Sequence, residues 1–478
     1  MKRINLKIIK LFKASLWGRF GGAAIFIVCI SSVVLFSCQK LDVNSPNDVP
    51  TGNVFTNADG LRSALTGLYN NFQQRNYYGG YYPFMADLNS DVCTAGGYDV
   101  PALNDINAHA VTTSNTFTEQ MYLAIYKWVA HANEILENVD KITDPDLSDE
   151  ERSSIKGQAL ALRALAHFDA LRMFGYHWDN GSLYGVPVVI TVQNAADVVS
   201  RNTVAETYTA VLKDLNDADA LLDGSELTAQ YANSMFVKGL LARVYLYQKD
   251  YDKAAEFATE VIDDGTYSLL DADNFQTIYT GRLSSESIFE LSFDGQNQSS
   301  FNAGTYVRDD ALRTEIFFLA NQGMDAFFQA RPGDKRSELL DFVNNDVSIL
   351  PDGRTQKYRG EVIKDNPAYI LRIAEMYLIA AEAKGRTGGG LAYLNTLREN
   401  RGLSNLVGSN IPDDEAYTQA ILDERLAELN FEGHRFFDLA RYQKIEEVLG
   451  VSNENAVFPI PQREISATND TLVQNPGF

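Results

Sequence analysis

Three stretches of this chain repeat one arrangement, two apolar-striped helices around a tight corner, and that recurrence limits the fold more than any other feature. In residues 231–264, Leu241, Ala242 and Tyr245 share one helical face, Asp250-Tyr251 marks a turn, and Ala254 and Ala258 begin a second face. The ordering approximates a two-helix repeat of about 34 residues. Residues 370–400 echo it: Leu371, Ala374, Tyr377, Leu378 and Ala381 precede a Gly-rich corner at 388–390. Ala416–Tyr442 is the third unit, with Leu422, Leu426 and Leu429 at the spacing of one helix face. Pro412, Asp413 and Asp414 suit its start, Gly433 breaks it, and Phe436, Leu439 and Ala440 open a second stripe, which makes an αα-hairpin. Units of this kind bury their apolar faces by stacking on neighbours, so several in one chain give a solenoid-like helical bundle.

The rest of the chain agrees. Leu61, Leu65 and Leu68 start a helix that ends before a Tyr-rich segment at 77–82, and Phe117 to about Val139 predicts another. Ser148 with Glu151, and Thr203 with Glu206, have capping-box spacing and open helices running to Phe174 and Leu222. The Ala159, Leu162, Ala166, Ala170 column allows close helix contact. Between these lie long irregular stretches at 77–116, 176–200, 270–368 and 450–478, where runs such as Ser287–Phe293 suggest minor strands. The expected fold class is mainly α: tetratricopeptide-like helix pairs forming an α-α superhelical scaffold, with long irregular loops and minor β-strands. Loops this long in a compact domain usually bind something.

Charge on the last hairpin admits two readings. Glu424 and Glu428 sit four apart, where like charges repel unless a cation lies between them. With Arg425, Arg435 and Asp438 they read as an ion network tying the hairpin to its neighbours. The alternative, a catalytic carboxylate pair, is compatible with the spacing, but helix charges are more often structural.

The N-terminus is a targeting segment. Lys2, Arg3, Lys7, Lys10, Lys13 and Arg19 precede an apolar run from Phe20 to Phe36, and Leu35-Phe36-Ser37-Cys38 resembles a bacterial lipobox. A transmembrane helix is the weaker reading, because the run is short and interrupted by glycine. Residues 1–37 are expected to be removed, Cys38 to be lipidated, 38–53 to form an extended tether, and 54–478 to be a single ligand-binding domain. The removed segment holds six of the 41 Lys and Arg and none of the 63 Asp and Glu, leaving a formal charge of −28. So acidic a chain is a poor partner for nucleic acid. Cys93 is then the one remaining thiol and reads as a small buried residue.

Together these residues resemble the SusD/RagB family of outer-membrane lipoproteins of Bacteroidetes. The resemblance rests on Cys38, the Ala161–Phe174 helix with Phe174-Gly175 and Val186-Pro187, the run from Arg372 to Ala383, Glu424-Arg425 through Arg441-Tyr442, and the tail Phe458-Pro459-Ile460-Pro461 with Gln474 to Phe478. The Tyr176–Tyr184 segment departs from it in length. The resemblance implies a non-enzymatic protein at the surface of a Gram-negative outer membrane. It would capture glycans or oligosaccharides, or in some members peptides, and serve as the lid of a SusC-like TonB-dependent transporter.

Sugar rings present apolar C–H faces that stack on aromatic rings while polar groups bond their hydroxyls. The loop candidates for that chemistry are Tyr77, Tyr78, Tyr81 and Tyr82 beside Asp87 and Asn89, with Trp178, Phe301 and Tyr306 elsewhere. For any one of them, packing within the loop is the commoner role. No catalytic residue, cofactor or metal site is expected. The five histidines lack metal-binding spacing, no nucleophile elbow occurs, and the GRTGGG run at 385–390 lacks the Lys-Ser/Thr of a phosphate loop. Asp87, Asn89 and Asp91 imitate the start of a calcium loop, but Val92 and Tyr98 stand where Gly and Glu are required. A surface glycoside hydrolase, which needs two convergent carboxylates, is the enzymatic alternative. A purely structural adaptor to the transporter is the third.

Overall fold

The computed structural model describes residues 54–96, 99–194, 197–301, 305, 318–342, 352–358, 365–469 and 471–478. The signal segment, Cys38 and the tether lie outside the described residues. Val54 to Phe478 forms one compact unit, built mostly from helices.

The principal helices, in chain order, are α1 (Ala58–Phe72), α2 (Tyr81–Leu88), α3 (Pro101–Asn107), α4 (Thr116–Asn138), α5 (Asp149–Phe174) and α6 (Val204–Leu222). They continue as α7 (Ser234–Gln248), α8 (Tyr251–Asp264), α9 (Ile373–Lys384), α10 (Gly390–Glu399), α11 (Asp414–Leu429) and α12 (Arg435–Arg441). From α4 to α10 each helix packs on the next, as the recurring helix pairs predict. The series runs straight through the largest irregular segment: α8 packs on α9 although residues 265–372 separate them in sequence.

Local chemistry sets these helices. Thr203 and Glu206 form the full reciprocal capping box at α6. At α5, Ser148 accepts from the Glu151 N–H, but the Glu151 carboxylate turns away to hold Arg62 of α1 at 2.6 Å and 2.8 Å. Half a capping box is exchanged there for a bridge between helices. Most of α5 from Ala159 onward is buried, so it runs through the core as a central post.

Among the described residues six short strands make three antiparallel pairs: β1 (Cys93–Ala95) with β3 (Phe318–Ala320), β2 (Ser287–Leu291) with β6 (Ala368–Arg372), and β4 (Leu340–Asp341) with β5 (Arg354–Thr355). The expected strand near 287 is present, but every residue of it is buried, because α7 covers it as well. The helix unit at 370–400 starts later than its apolar spacing suggests. Leu371 belongs to β6, and the helix begins at Ile373 after the strand has paired with β2. The stretch 77–116, read from sequence as irregular, carries α2, β1 and α3.

The α11–α12 hairpin closes the molecule. Its corner needs left-handed backbone at Phe431 and Gly433, and a Cβ on Gly433 would lie 2.5 Å from Pro83 Cα. The charges on α11 form the expected network, and it is almost wholly buried. Arg336 is the cation between the paired glutamates, bonding Glu424 at 2.7 Å and Glu428 at 3.3 Å. Glu428 also binds Arg372 and Arg401, both at 2.9 Å, and Glu286 bridges the same two arginines. Burial opposes the ionisation of Glu428, yet Arg401, Arg372 and Arg336 hold its carboxyl well below the usual range. Arg425 pairs with Asp438 at 2.7 Å, and Arg435 reaches Asp91. Glu424, Glu428 and Asp438 are thus each bound by guanidinium, which is the structural reading of the Glu424/Glu428 spacing.

Candidate ligand-binding surface

Of the residues singled out as ligand contacts, most are in the core. Tyr77 donates its hydroxyl to Asp169 Oδ2 at 2.5 Å and Tyr82 donates to Oδ1 at 3.0 Å, while the Arg172 guanidinium shares the same carboxylate. Tyr78 packs between the rings of Tyr77 and Tyr82, at 4.7 Å and 5.1 Å. Burial pushes all three phenols far above their ordinary range. Phe301 is likewise buried, stacked on Tyr358 at 4.6 Å. These four rings have no face turned to solvent, and removing Tyr77, Tyr78 or Tyr82 would open a cavity in the core.

The polar candidates are also engaged. Asp87 is buried, accepts from the Gly433 N–H at 2.9 Å, and is raised by desolvation. Asn89 meets His109 at 3.0 Å, and Asp91 is clasped by Arg435. The three side chains of the calcium-like spacing therefore turn to three different partners. Among the described residues no group of three or more His, Cys, Asp or Glu could hold a metal ion. Cys93 is buried, and burial raises its thiol. Tyr306 lies outside the described residues.

Two candidates keep part of a ring in solvent. Trp178 is half-buried in a small aromatic stack, 5.0 Å from Tyr176 and nearly parallel to it, with Tyr184 on the far side of Tyr176. Arg201 lies over Tyr184 and spends its remaining N–H groups on the carbonyls of Gly185, Phe174 and Val473 and on Asn475. That stack fastens the 176–184 loop to the C-terminal tail.

Tyr81 is different. It opens α2, half-exposed, at the end of the turn that leaves α1. The turn doubles back tightly: Tyr81 donates to the Arg75 carbonyl at 2.8 Å, and a Cβ on Gly79 would lie 2.1 Å from the Gln73 carbonyl, so only glycine fits. The result places the exposed Arg75 guanidinium 5.4 Å from the Tyr81 ring. Phe117, at the start of α4, meets the other side of Tyr81 edge-on at 4.7 Å. The polar loop Asp294–Ser300 lies alongside, joined by Ser300 N–H to Gly79 O at 3.2 Å and by Asn297 to Gln73 at 2.5 Å. A flat ring, a cation without a carboxylate partner among the described residues, and an amide-rich loop are what a hydroxyl-bearing ring needs. Arg75, Phe117 and Asn297 were not visible as site residues in the sequence. They converge only because the turn folds back, and the Arg-x5-Tyr spacing is the sole local trace of it.

A cleft of about 660 Å³ lies between α4, α5 and α6. Its lining is aliphatic and charged, with Leu136, Leu160 and Ile190 near Lys156 and the buried Arg163–Asp214 pair, and it contains no aromatic ring. It offers nothing flat for a sugar to stack on.

Comparison with known proteins agrees across the length of the chain. Residues 40–246 match a family described as starch-binding and associating with the outer membrane, and residues 347–457 match the SusD family. The chain is 23% identical to SusD-like protein P2 of Formosa agariphila, over 95% of this chain and 99% of that one. It is also 23% identical to the starch-binding protein SusD of Bacteroides thetaiotaomicron, over 80% and 81% of the two chains. Among solved structures, a SusD superfamily protein from Bacteroides thetaiotaomicron superposes with a TM-score of 0.78 at 25% identity, covering 87% of this chain and 99% of that chain. A laminarin-binding SusD-like protein shares the fold with a TM-score of 0.74 at 23% identity, over 88% of this chain and 100% of that one.

Proposed function

Because the chain belongs to the SusD/RagB family, we propose that it is a surface lipoprotein that captures glycans and passes them to a TonB-dependent outer-membrane transporter, over which it acts as a lid. Capture falls to the Tyr81 surface. The observation that carries the assignment is the half-exposed Tyr81 ring with the exposed Arg75 guanidinium over it. Stacking supplies affinity there, and Arg75 with the Asp294–Ser300 loop supplies hydrogen bonds to ring hydroxyls.

Residues 1–37 direct export and Cys38 carries the lipid, which leaves 54–478 as the binding body outside the bilayer. No described helix is long and apolar enough to cross a membrane. The protein binds without chemistry: the close carboxylate pair on α11 is consumed by Arg336, Arg331 and Arg398 and lies in the core.

Calorimetry with product analysis tests this. The protein is titrated with a panel of polysaccharides, their oligosaccharides and peptides, and each mixture is then analysed for cleavage. Saturable heat with intact glycan is the expected result. Released reducing ends would establish a hydrolase, and heat with peptides alone would move the ligand class.

A further inference from the structure

A second, smaller surface shares a wall with the first. A cleft of about 210 Å³ lies between α1 and the residues around Tyr231, lined by Tyr69, Asn70, Gln73, Gln230, Tyr231 and Ser292 among others. Tyr231 is 52% exposed, an unusual position for a ring held so firmly. It meets Tyr69 edge-on at 5.3 Å, and the Tyr69 hydroxyl accepts from the adjacent Ala232 N–H at 2.9 Å while donating to Gln158 at 2.7 Å. The preceding backbone is pinned as well, since the Glu290 N–H of β2 donates to Ala229 O at 2.9 Å. The exposed face of Tyr231 is thus presented by a segment locked to both α1 and β2. Such preorganisation lowers the entropy lost on binding.

The polar wall is uncharged. Asn70 and Gln230 are exposed amides whose side chains have no partner among the described residues, and the Ser292 hydroxyl is buried without one. Gln73 has its amide oriented by bonds to Ser292 O and Asn297. No ionised side chain lines the cleft. Its volume falls below the roughly 300–1,000 Å³ of sites that take drug-sized ligands, so it seats one ring.

Gln73 also ties the two surfaces together. It lines this cleft and bonds Asn297 of the loop beside Tyr81, and Arg75 follows two residues later. Resting on the glycan-capture reading, we propose that the Tyr69–Tyr231 cleft is a second carbohydrate subsite, which takes one neutral sugar ring of a chain whose other end lies over Tyr81 and Arg75. The uncharged lining selects a neutral hexose or pentose over a uronate or a sulfated sugar, since an anion would find no cation there.

The test titrates the full-length protein in detergent with laminarihexaose, maltohexaose and the matching disaccharides, comparing wild type, Tyr231→Ala and Tyr231→Phe. Tyr231→Ala weakens hexasaccharide binding about tenfold, the scale of one lost ring contact. It leaves disaccharide binding at the Tyr81 surface and the melting temperature unchanged, and Tyr231→Phe, which keeps the stacking face, restores the hexasaccharide. Equal affinity of Tyr231→Ala and wild type for the hexasaccharide, or equal losses for both lengths, overturns the subsite while the capture reading stands. Wild type silent toward both hexasaccharides overturns the subsite as a seat for a neutral hexose, while the capture reading is decided by the wider panel.

Discussion

Tyr77 and Tyr81 are four residues apart and on opposite sides of a boundary. One phenol is buried against Asp169, and the other half-faces solvent beneath Arg75. Their alanine variants separate accordingly. Tyr81→Ala weakens glycan affinity about tenfold with little change in stability, the result expected when an exposed stacking ring is lost. Tyr77→Ala opens a cavity and strips Asp169 of a donor, for a loss of about 3–5 kcal/mol. Calorimetric titration beside denaturant unfolding of both variants distinguishes the two roles, and a stable Tyr77→Ala protein with lost affinity would return that ring to the binding surface. Sequence could not make this distinction. A tyrosine in a Gly-rich segment has the composition of a surface loop, and what buries Tyr77 is a carboxylate 92 residues away on α5. Local pattern holds no record of such a partner.

Elements were far more legible than residues. The apolar stripes place the helix pairs, and the capping sequences place the starts of α5 and α6, because spacing and caps act within a turn or two of chain. The ion network on α11 was legible from the Glu424–Glu428 spacing, which demands a cation. That the cation is Arg336, from the middle of the long irregular segment, was not. Its removal tests how the network is supported: Arg336→Met leaves Glu424, Glu428 and Asp334 short of positive charge inside the core. Breaking one side of a buried ion pair costs about 3–5 kcal/mol, so the variant unfolds at markedly lower denaturant. An unchanged midpoint would mean that Arg331, Arg372, Arg398 and Arg401 suffice. The β2–β6 pair was half-read: the Ser287 strand is evident, but Ala368–Arg372 is apolar enough to pass for the first turn of the helix that follows it.

At the scale of the molecule, titration gathers into a pH dependence. Burial, with Arg163 nearby, lowers His167 to about 3, and burial with neighbouring arginines lowers His177 and His434 well below 6.5. These rings stay neutral in the folded protein while the unfolded chain takes up their protons. Stability is therefore full above pH 6.5 and declines as pH falls below it, by up to about 1.4 kcal/mol per pH unit for each histidine. Glu375, Glu424, Glu428 and Asp438 are held below their ordinary values, burial opposing and arginines prevailing. Their contribution is complete above pH 4.5 and is lost on further acidification. Melting temperature followed from pH 8 to 4 should fall in those two stages. Replacing His167 with Gln, which can still accept from the Val189 N–H that now meets Nε2 at 3.1 Å, should make the first shallower. A level profile from pH 8 to 5 would contradict the neutral burial of these rings.

The position of α11 near the end of the chain has a further bearing, on biogenesis. Arg331, Arg336, Arg372, Arg398 and Arg401 all precede it, and Glu424 and Glu428 are the carboxylates they share. A polypeptide that stops before Asp413 has Glu286 and Asp334 for these guanidiniums but lacks Glu424 and Glu428. Its interior would have to dehydrate guanidiniums in excess of carboxylates in order to close, so the core is complete only once the last hairpin is in place.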